Sequence, residues 1–306
     1  MADYFTLIDA STWDFIRATE AAYPPDTARL SIAEQRAIHD DMCRRFFQGY
    51  PGGVTARDES IGGVTCRNYP GGQPVVVYLH GGGLVVGGLD SHDDVCAEIR
   101  ATTGLTVISV DYRLLPEHPS PAALADTLTV TRHAAAQGPV LLAGDSAAGY
   151  LAASAAQVLR GDPSSRVLGQ VLIYPGLGGD LDRGSAMIHA QAPMLTRDDV
   201  IQYRDLQREP TDSTIPPMPL DIGDFSGLPP TVTFGAECDP LCDDARDYAA
   251  AIRSAGGKGH FILEPGLVHG YLGDRTTVPR AKASFTRITQ AIAALARGDW
   301  PHGATS

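Results

Sequence analysis

The segment Gly144-Asp145-Ser146-Ala147-Ala148-Gly149 follows directly on the apolar run Val140–Ala143 and directly precedes a helix-like stretch. A serine flanked by small residues between a strand and a helix fits the Gly-x-Ser-x-Gly nucleophile turn, with Ala148 in place of the last Gly, in which the hydroxyl is lifted above a sheet. The small neighbours let the backbone adopt a strained turn, and the following helix aims its first N–H groups at the same place. The chemistry such a serine suits is attack on a carbonyl carbon through a covalent intermediate. Because a bare Gly-x-Ser-x-Gly also arises by chance, the flanking strand and helix carry the inference.

A second signal, His80-Gly81-Gly82-Gly83, ends the strand-like Pro74–Leu79 run, 66 residues before the serine. Three successive glycines cost entropy and bring no local benefit, so they suggest a loop whose backbone N–H groups face a ligand closely. Gly82 and Gly83, with the N–H of Ala147, are the expected oxyanion donors. Without Ser146 the same residues would read as a plain glycine turn.

A serine nucleophile needs a base, and the base needs an orienting carboxylate. In an open α/β sheet the expected chain order is Ser, acid, His. Asp239 follows the strand-like Thr231–Phe234, and His269 follows the next strand-like segment, His260–Pro265. Both lie at carboxyl ends of strands, where active sites of such sheets gather. His39, His92, His118, His133, His189, His260 and His302 lack that placement and read as solvated or as satisfied polar contacts. Asp243, one helical turn beyond Asp239, is the rival acid and reads as a local hydrogen-bonding group.

The elements that must position these groups alternate. Strand-like runs cover Val64–Arg67, Val75–Leu79, Thr106–Val110, Val140–Ala143, Gln170–Tyr174, Thr231–Phe234 and Phe261–Leu263. Several are continuously apolar, as in a mostly parallel sheet covered on both faces. Between them lie helical stretches at about 90–103, 121–136, 147–160, 241–254 and 279–297. The expected fold class is α/β. Two regions break the alternation. Residues 1–50 read as helical, with Ser31 and Glu34 forming a capping-box start for Ile32–Gln48. The segment 176–226 contains a helix near Thr196–Arg208 and the Pro-rich Thr214–Leu220. Together they are expected to form a helical cap over a core made of 51–175 and 227–306.

The 306 residues carry 36 Asp and Glu against 24 Lys and Arg, a net charge of −12, so the basic patch that a phosphate backbone requires is not available. Apolar runs such as Leu105–Val110 are far too short to span a bilayer. The acidic N-terminus lacks the basic flank of a secretory leader, which makes a cytoplasmic location the expectation. The five cysteines, Cys43, Cys66, Cys96, Cys238 and Cys242, are expected to be free and mostly buried.

With His80–Gly83, Asp111–Leu124, Gly144–Gly149, Asp239–Asp243 and His269–Tyr271 in this order, the chain resembles the hormone-sensitive-lipase-like (bacterial family IV) esterases over about residues 60–297. The resemblance implies an α/β-hydrolase core with a helical cap and hydrolysis of short- to medium-chain acyl esters. It carries over Ser146 as nucleophile, Asp239 and His269 as its partners, and Gly82, Gly83 and Ala147 as oxyanion donors. Leu84 stands where an aromatic residue is common, Tyr271 where Phe is common, and Ala148 where Gly is more usual. These departures bear on substrate fit, and Leu84, Tyr203 and Tyr271 are expected substrate contacts. Tyr112, Arg113 and Glu117 read as structural ties for the loop under the oxyanion strand.

No Gly-Lys-Ser/Thr phosphate loop, Ser-x-x-Lys or His-Glu-x-x-His motif is present, so neither a cofactor nor a metal is implied. Alternatives on the same scaffold are a ligand-binding receptor and hydrolysis of amides, lactones or carbamates. Loss of a triad residue would mark the receptor. Aromatic and Met side chains at 4, 5, 13, 15, 187, 194 and 203 line either a pocket or plain core, and a homodimer can form by pairing of the last strand near Phe261–Leu263. Because the base must be neutral, activity is expected to decline below about pH 6 to 7.

Overall fold

A computed structural model describes residues 2–208, 217–300 and 302. Eight strands form one sheet: β1 (Arg57–Ile61), β2 (Val64–Tyr69), β3 (Gly72–Leu79), β4 (Leu105–Val110), β5 (Val140–Asp145), β6 (Val167–Ile173), β7 (Thr231–Cys238) and β8 (Gly259–Val268). Their order is β1-β2-β4-β3-β5-β6-β7-β8. β1 and β2 run antiparallel to their neighbours and the rest pair in parallel. The α/β-hydrolase fold expected from the alternation is present, and seven of the strands lie where the apolar runs place them.

The strands of the centre alternate strictly. Val76 and Tyr78 enter one apolar cluster with Val107, Leu141 and Phe234. Val75, Val77 and Leu79 enter the other with Ile108, Leu142 and Leu172. Burial on both faces needs helices on both, which explains the continuous apolar runs. Helices α4 (Asp93–Thr103) and α10 (Pro279–Ala296) cover the first face. Helices α5 (Ser120–Gln137), α6 (Ala147–Leu159) and α9 (Cys242–Ser254) cover the second.

After β3 the chain crosses to β4 on one side and then returns past β3 to β5 on the other. The direction of winding reverses there, which opens a crevice at the carboxyl ends of β3 and β5. The glycine loop and Ser146 leave the sheet at these two ends.

The two regions outside the alternation are helical. The first holds α1 (Tyr4–Leu7), α2 (Ala10–Glu20) and α3 (Ile32–Phe46). The Ser31–Glu34 capping box is formed in both directions at the start of α3. The second holds α7 (Gly184–Ile188) and α8 (Arg197–Arg208). Of the Pro-rich stretch, 214–216 lie outside the described residues. β8 is one of the two edges of the sheet, β1 being the other, and its Leu263 is 44% exposed. No helix among the described residues is long and apolar enough to cross a membrane. All five cysteines are free, and burial raises the thiols of Cys66 and Cys238 to about 12.

Candidate active site

Ser146 stands between β5 and α6 with φ 55° and ψ −126°. A non-glycine residue held there costs on the order of 1–3 kcal/mol, which the surroundings must supply. Its N–H donates to Ile173 O at 2.9 Å, and its carbonyl accepts from Gly149 and Gly176 at 3.0 and 3.1 Å. The turn also needs its glycines. A Cβ on Gly144 would lie 2.6 Å from Ala148 O, and one on Gly149 would lie 2.4 Å from Pro175 Cβ.

The structure brings the three expected side chains together. Ser146 Oγ lies 2.7 Å from His269 Nε2, and His269 Nδ1 lies 2.7 Å from Asp239 Oδ2. Asp239 is fully buried just past β7, and its second oxygen accepts the Leu241 N–H at 2.8 Å. His269 follows β8, with the Tyr174 ring packed against it at 4.9 Å. Asp243 faces elsewhere: it accepts the Ser185 N–H and pairs with Arg246. It is local, as its spacing from Asp239 suggests.

The glycine loop passes the same point. The N–H groups of Val85 and Val86 both donate to Gly82 O, which folds the loop back on itself. Gly82 and Gly83 have φ of 123° and 65°, and a Cβ on Gly83 would lie 2.3 Å from the Tyr203 ring. Tyr112, buried, donates to His80 O at 2.6 Å and stacks on the His80 ring at 4.4 Å, so it ties the end of β3 from beneath. Arg113 pairs with Asp126, and Glu117 with Arg36 of α3. The three are structural, as read.

One buried carboxylate joins the serine turn to the glycine loop. Asp145 Oδ1 accepts the Tyr78 hydroxyl at 2.9 Å and the Gly81 N–H at 3.0 Å, while Oδ2 lies 3.2 Å from His92 Nε2 and accepts Tyr174 at 3.4 Å. Burial alone pushes this carboxyl up, but His92 and the hydrogen bonds from His92 and Tyr78 override it and hold Asp145 below the ordinary carboxylate value. The stabilisation is therefore full at neutral pH and is lost on acidification below that range. Asp145→Leu would orphan the Tyr78 hydroxyl and the Gly81 N–H. At roughly 1–3 kcal/mol for each orphaned group, it is expected to lower unfolding free energy by about 2–6 kcal/mol, read from urea denaturation.

Residues 76–273 match the family described as alpha/beta hydrolase fold. Carboxylesterase NlhH of Mycobacterium tuberculosis is 39% identical over 237 residues, which cover 73% of this chain and 73% of that protein. Esterase LipI of the same organism is 36% identical over 236 residues, 74% of each. The hyperthermophilic esterase of the archaeon Pyrobaculum calidifontis superposes with a TM-score of 0.83 at 27% identity, covering 95% of this chain and 99% of that one. The chain belongs to the hormone-sensitive-lipase-like carboxylic ester hydrolases of the α/β-hydrolase superfamily.

In this family member Ser146 and His269 open onto a cavity of about 990 Å³. Its floor is Gly81, Gly82, Gly83, Ser146, Ala147 and His269. One wall comes from α2 and α3 and the other from residues 192–207. On α3 the lining residues Ile32, Gln35, His39, Met42 and Phe46 recur every three or four positions, with Cys43 beside them, so a single helix face forms that wall. The same spacing is visible in the sequence, although the helix has no fully buried residue to mark it as core. The Tyr23 hydroxyl and His39 Nδ1 share a hydrogen bond of 2.9 Å, and burial, reinforced by His92, lowers His39 to about 4, which leaves it neutral.

Two of the three expected substrate contacts are corrected. Leu84, at φ 63°, is fully buried in the core cluster of Leu79, Tyr112 and Leu115 because the tight Gly82 turn sends it beneath the loop. Tyr271 is 1% exposed, packs on Tyr174 and shares a 2.7 Å hydrogen bond with Ser284 of α10. Neither lines the cavity. Tyr203 does, as do Phe15 and Met194. Tyr4 and Trp13 pack against the core instead, and Phe5 and Met187 are exposed. His92, set aside as a solvated or satisfied histidine, is a satisfied one, and it reaches the site through Asp145.

Proposed function

We infer that the protein is a serine carboxylesterase that cleaves short- to medium-chain acyl esters through an acyl-enzyme. The observation that carries the reading is the unbroken chain from Asp239 to His269 to Ser146 Oγ, at 2.7 Å and 2.7 Å, opening onto the apolar cavity. Asp239 accepts the Nδ1 proton of a neutral imidazole, which leaves the Nε2 lone pair facing the serine hydroxyl. Ser146 Oγ attacks the ester carbonyl as Nε2 takes its proton. The tetrahedral oxygen is stabilised by the N–H groups of Gly82, Gly83 and Ala147, with the α6 N-terminus behind Ala147 adding favourable potential. Nε2–H then protonates the departing alkoxide, and water attacking the acyl-enzyme repeats the sequence with the carboxylic acid as product.

The helical segments 1–50 and 176–226 act as a cap in this reading. Supporting it, α2, α3 and α8 contribute lining residues opposite the glycine loop. The volume of about 990 Å³ exceeds what an acetyl group alone would need and accommodates medium chains and a bulky alcohol.

A fluorophosphonate tests the nucleophile directly. Inactivation should run in step with one label per chain, mapped by peptide mass spectrometry to the peptide that holds Ser146. A label on any other residue, or full esterase activity after labelling has gone to completion, refutes the assignment.

A further inference from the structure

The cavity is polar in places, yet each arginine on its described wall already has a partner. Arg275, 2% exposed, is paired with Asp94 at 3.1 Å and Glu98 at 3.0 Å and donates to Leu272 O. Arg204 donates to Gly179 O at 2.9 Å and faces buried Asp244 at 3.8 Å. His92 is held by Asp145, His269 by Asp239, and His39 is neutral. Neither lysine of the chain lines the cavity. Against these stand Glu20, exposed at the cavity, and Asp199, whose carboxylate accepts from Thr196. The remainder of the lining is largely apolar or aromatic, including Phe15, Phe46, Met42, Met194, Tyr203 and Met218.

A carboxylate brought into such a space loses its hydration and meets no uncommitted cation among the described residues. An unpaired buried charge is costly, and specificity is often built by leaving a competitor's charge without a partner. We propose that this cavity selects esters whose acyl part is uncharged and excludes esters whose acyl chain ends in a carboxylate. The inference rests on the serine esterase reading and adds a substrate class to it. The selection lies in the wall and is separate from the protein's overall charge of −12.

The test compares two probes of the same chain length, the p-nitrophenyl ester of suberic acid with its far end free and the same compound with that end methylated, a chain too long for the free carboxylate to reach its own ester through a small ring. Nitrophenol release is followed in about 0.5 M NaCl, where the field of exposed charges is screened within a few ångströms. The expected result is a kcat/KM at least about 100-fold lower for the free acid, the size that an unpaired charge makes reasonable. Met42→Lys, which places a cation in the α3 wall, should narrow that ratio at least tenfold, the free acid being compared with the methylated probe on the same variant. Equal turnover of the two probes by the native protein overturns the proposal, as does a ratio that collapses at high salt or one that Met42→Lys leaves unchanged. If neither probe releases nitrophenol, the esterase reading itself falls, and this inference with it.

Discussion

Ser146→Ala is expected to lower kcat for p-nitrophenyl butyrate by about 10⁵- to 10⁶-fold, the scale on which removal of a serine nucleophile acts. The methyl group leaves the turn intact. Ala accepts the same backbone bonds from Gly149 and Gly176 and donates the same one to Ile173, so the circular dichroism spectrum and the denaturation midpoint should hardly move. What disappears is the proposed nucleophile, the Ser146 Oγ that lies 2.7 Å from His269 Nε2. The residual rate, if the cavity and loop still favour the tetrahedral state, should exceed that in water and be insensitive to fluorophosphonate. Activity within a hundredfold of the native protein would mean that another group attacks.

Asp239→Asn should be nearly as severe, about 10⁴-fold in kcat, with KM little altered. An asparagine in the same rotamer keeps the Leu241 contact through its carbonyl oxygen and turns its NH₂ toward His269 Nδ1. That nitrogen must then accept, so the imidazole proton moves to Nε2, where it faces Ser146 and leaves no lone pair to receive the hydroxyl proton. The loss thus arises from the wrong tautomer in an unmoved site. A crystal structure or histidine NMR spectrum of the variant would separate this from displacement of the loop. A kcat within tenfold of native would show that Asp239 does not orient the base.

The residues of the proposed site were legible because each sits where a change of element forces it to sit. Ser146 ends an apolar strand, His80–Gly83 ends another, and Asp239 and His269 each follow one. Such positions are set by local pattern, and the sheet then gathers them at one edge. Strand β1, Arg57–Ile61, is missing from the reading because its sequence, Arg-Asp-Glu-Ser-Ile, is polar on both faces. It pairs only with β2 at the open edge and buries little besides Ile61. Leu84 and Tyr271 went astray for a different reason. Their types suggested contact with substrate, but their directions depend on a positive φ in one case and on packing against Tyr174 and α10 in the other. The cavity wall on α3 lay between these cases: its spacing is in the sequence, but nothing local says that the face looks onto a space and not onto a core.

The carboxylate of Asp145 has an implication for descent. Position 81 and position 145 are 64 residues apart in the chain, but a Cβ on Gly81 would lie 2.3 Å from Asp145 Oδ2. Neither position can drift alone. A lineage that acquires a side chain at 81 must first shorten or lose the acid at 145, and one that loses the acid gives up the acceptor that fixes the Gly81 N–H. The two sites should therefore be inherited as a pair, and laboratory libraries that randomise the glycine loop will recover active clones more often when position 145 is varied with it.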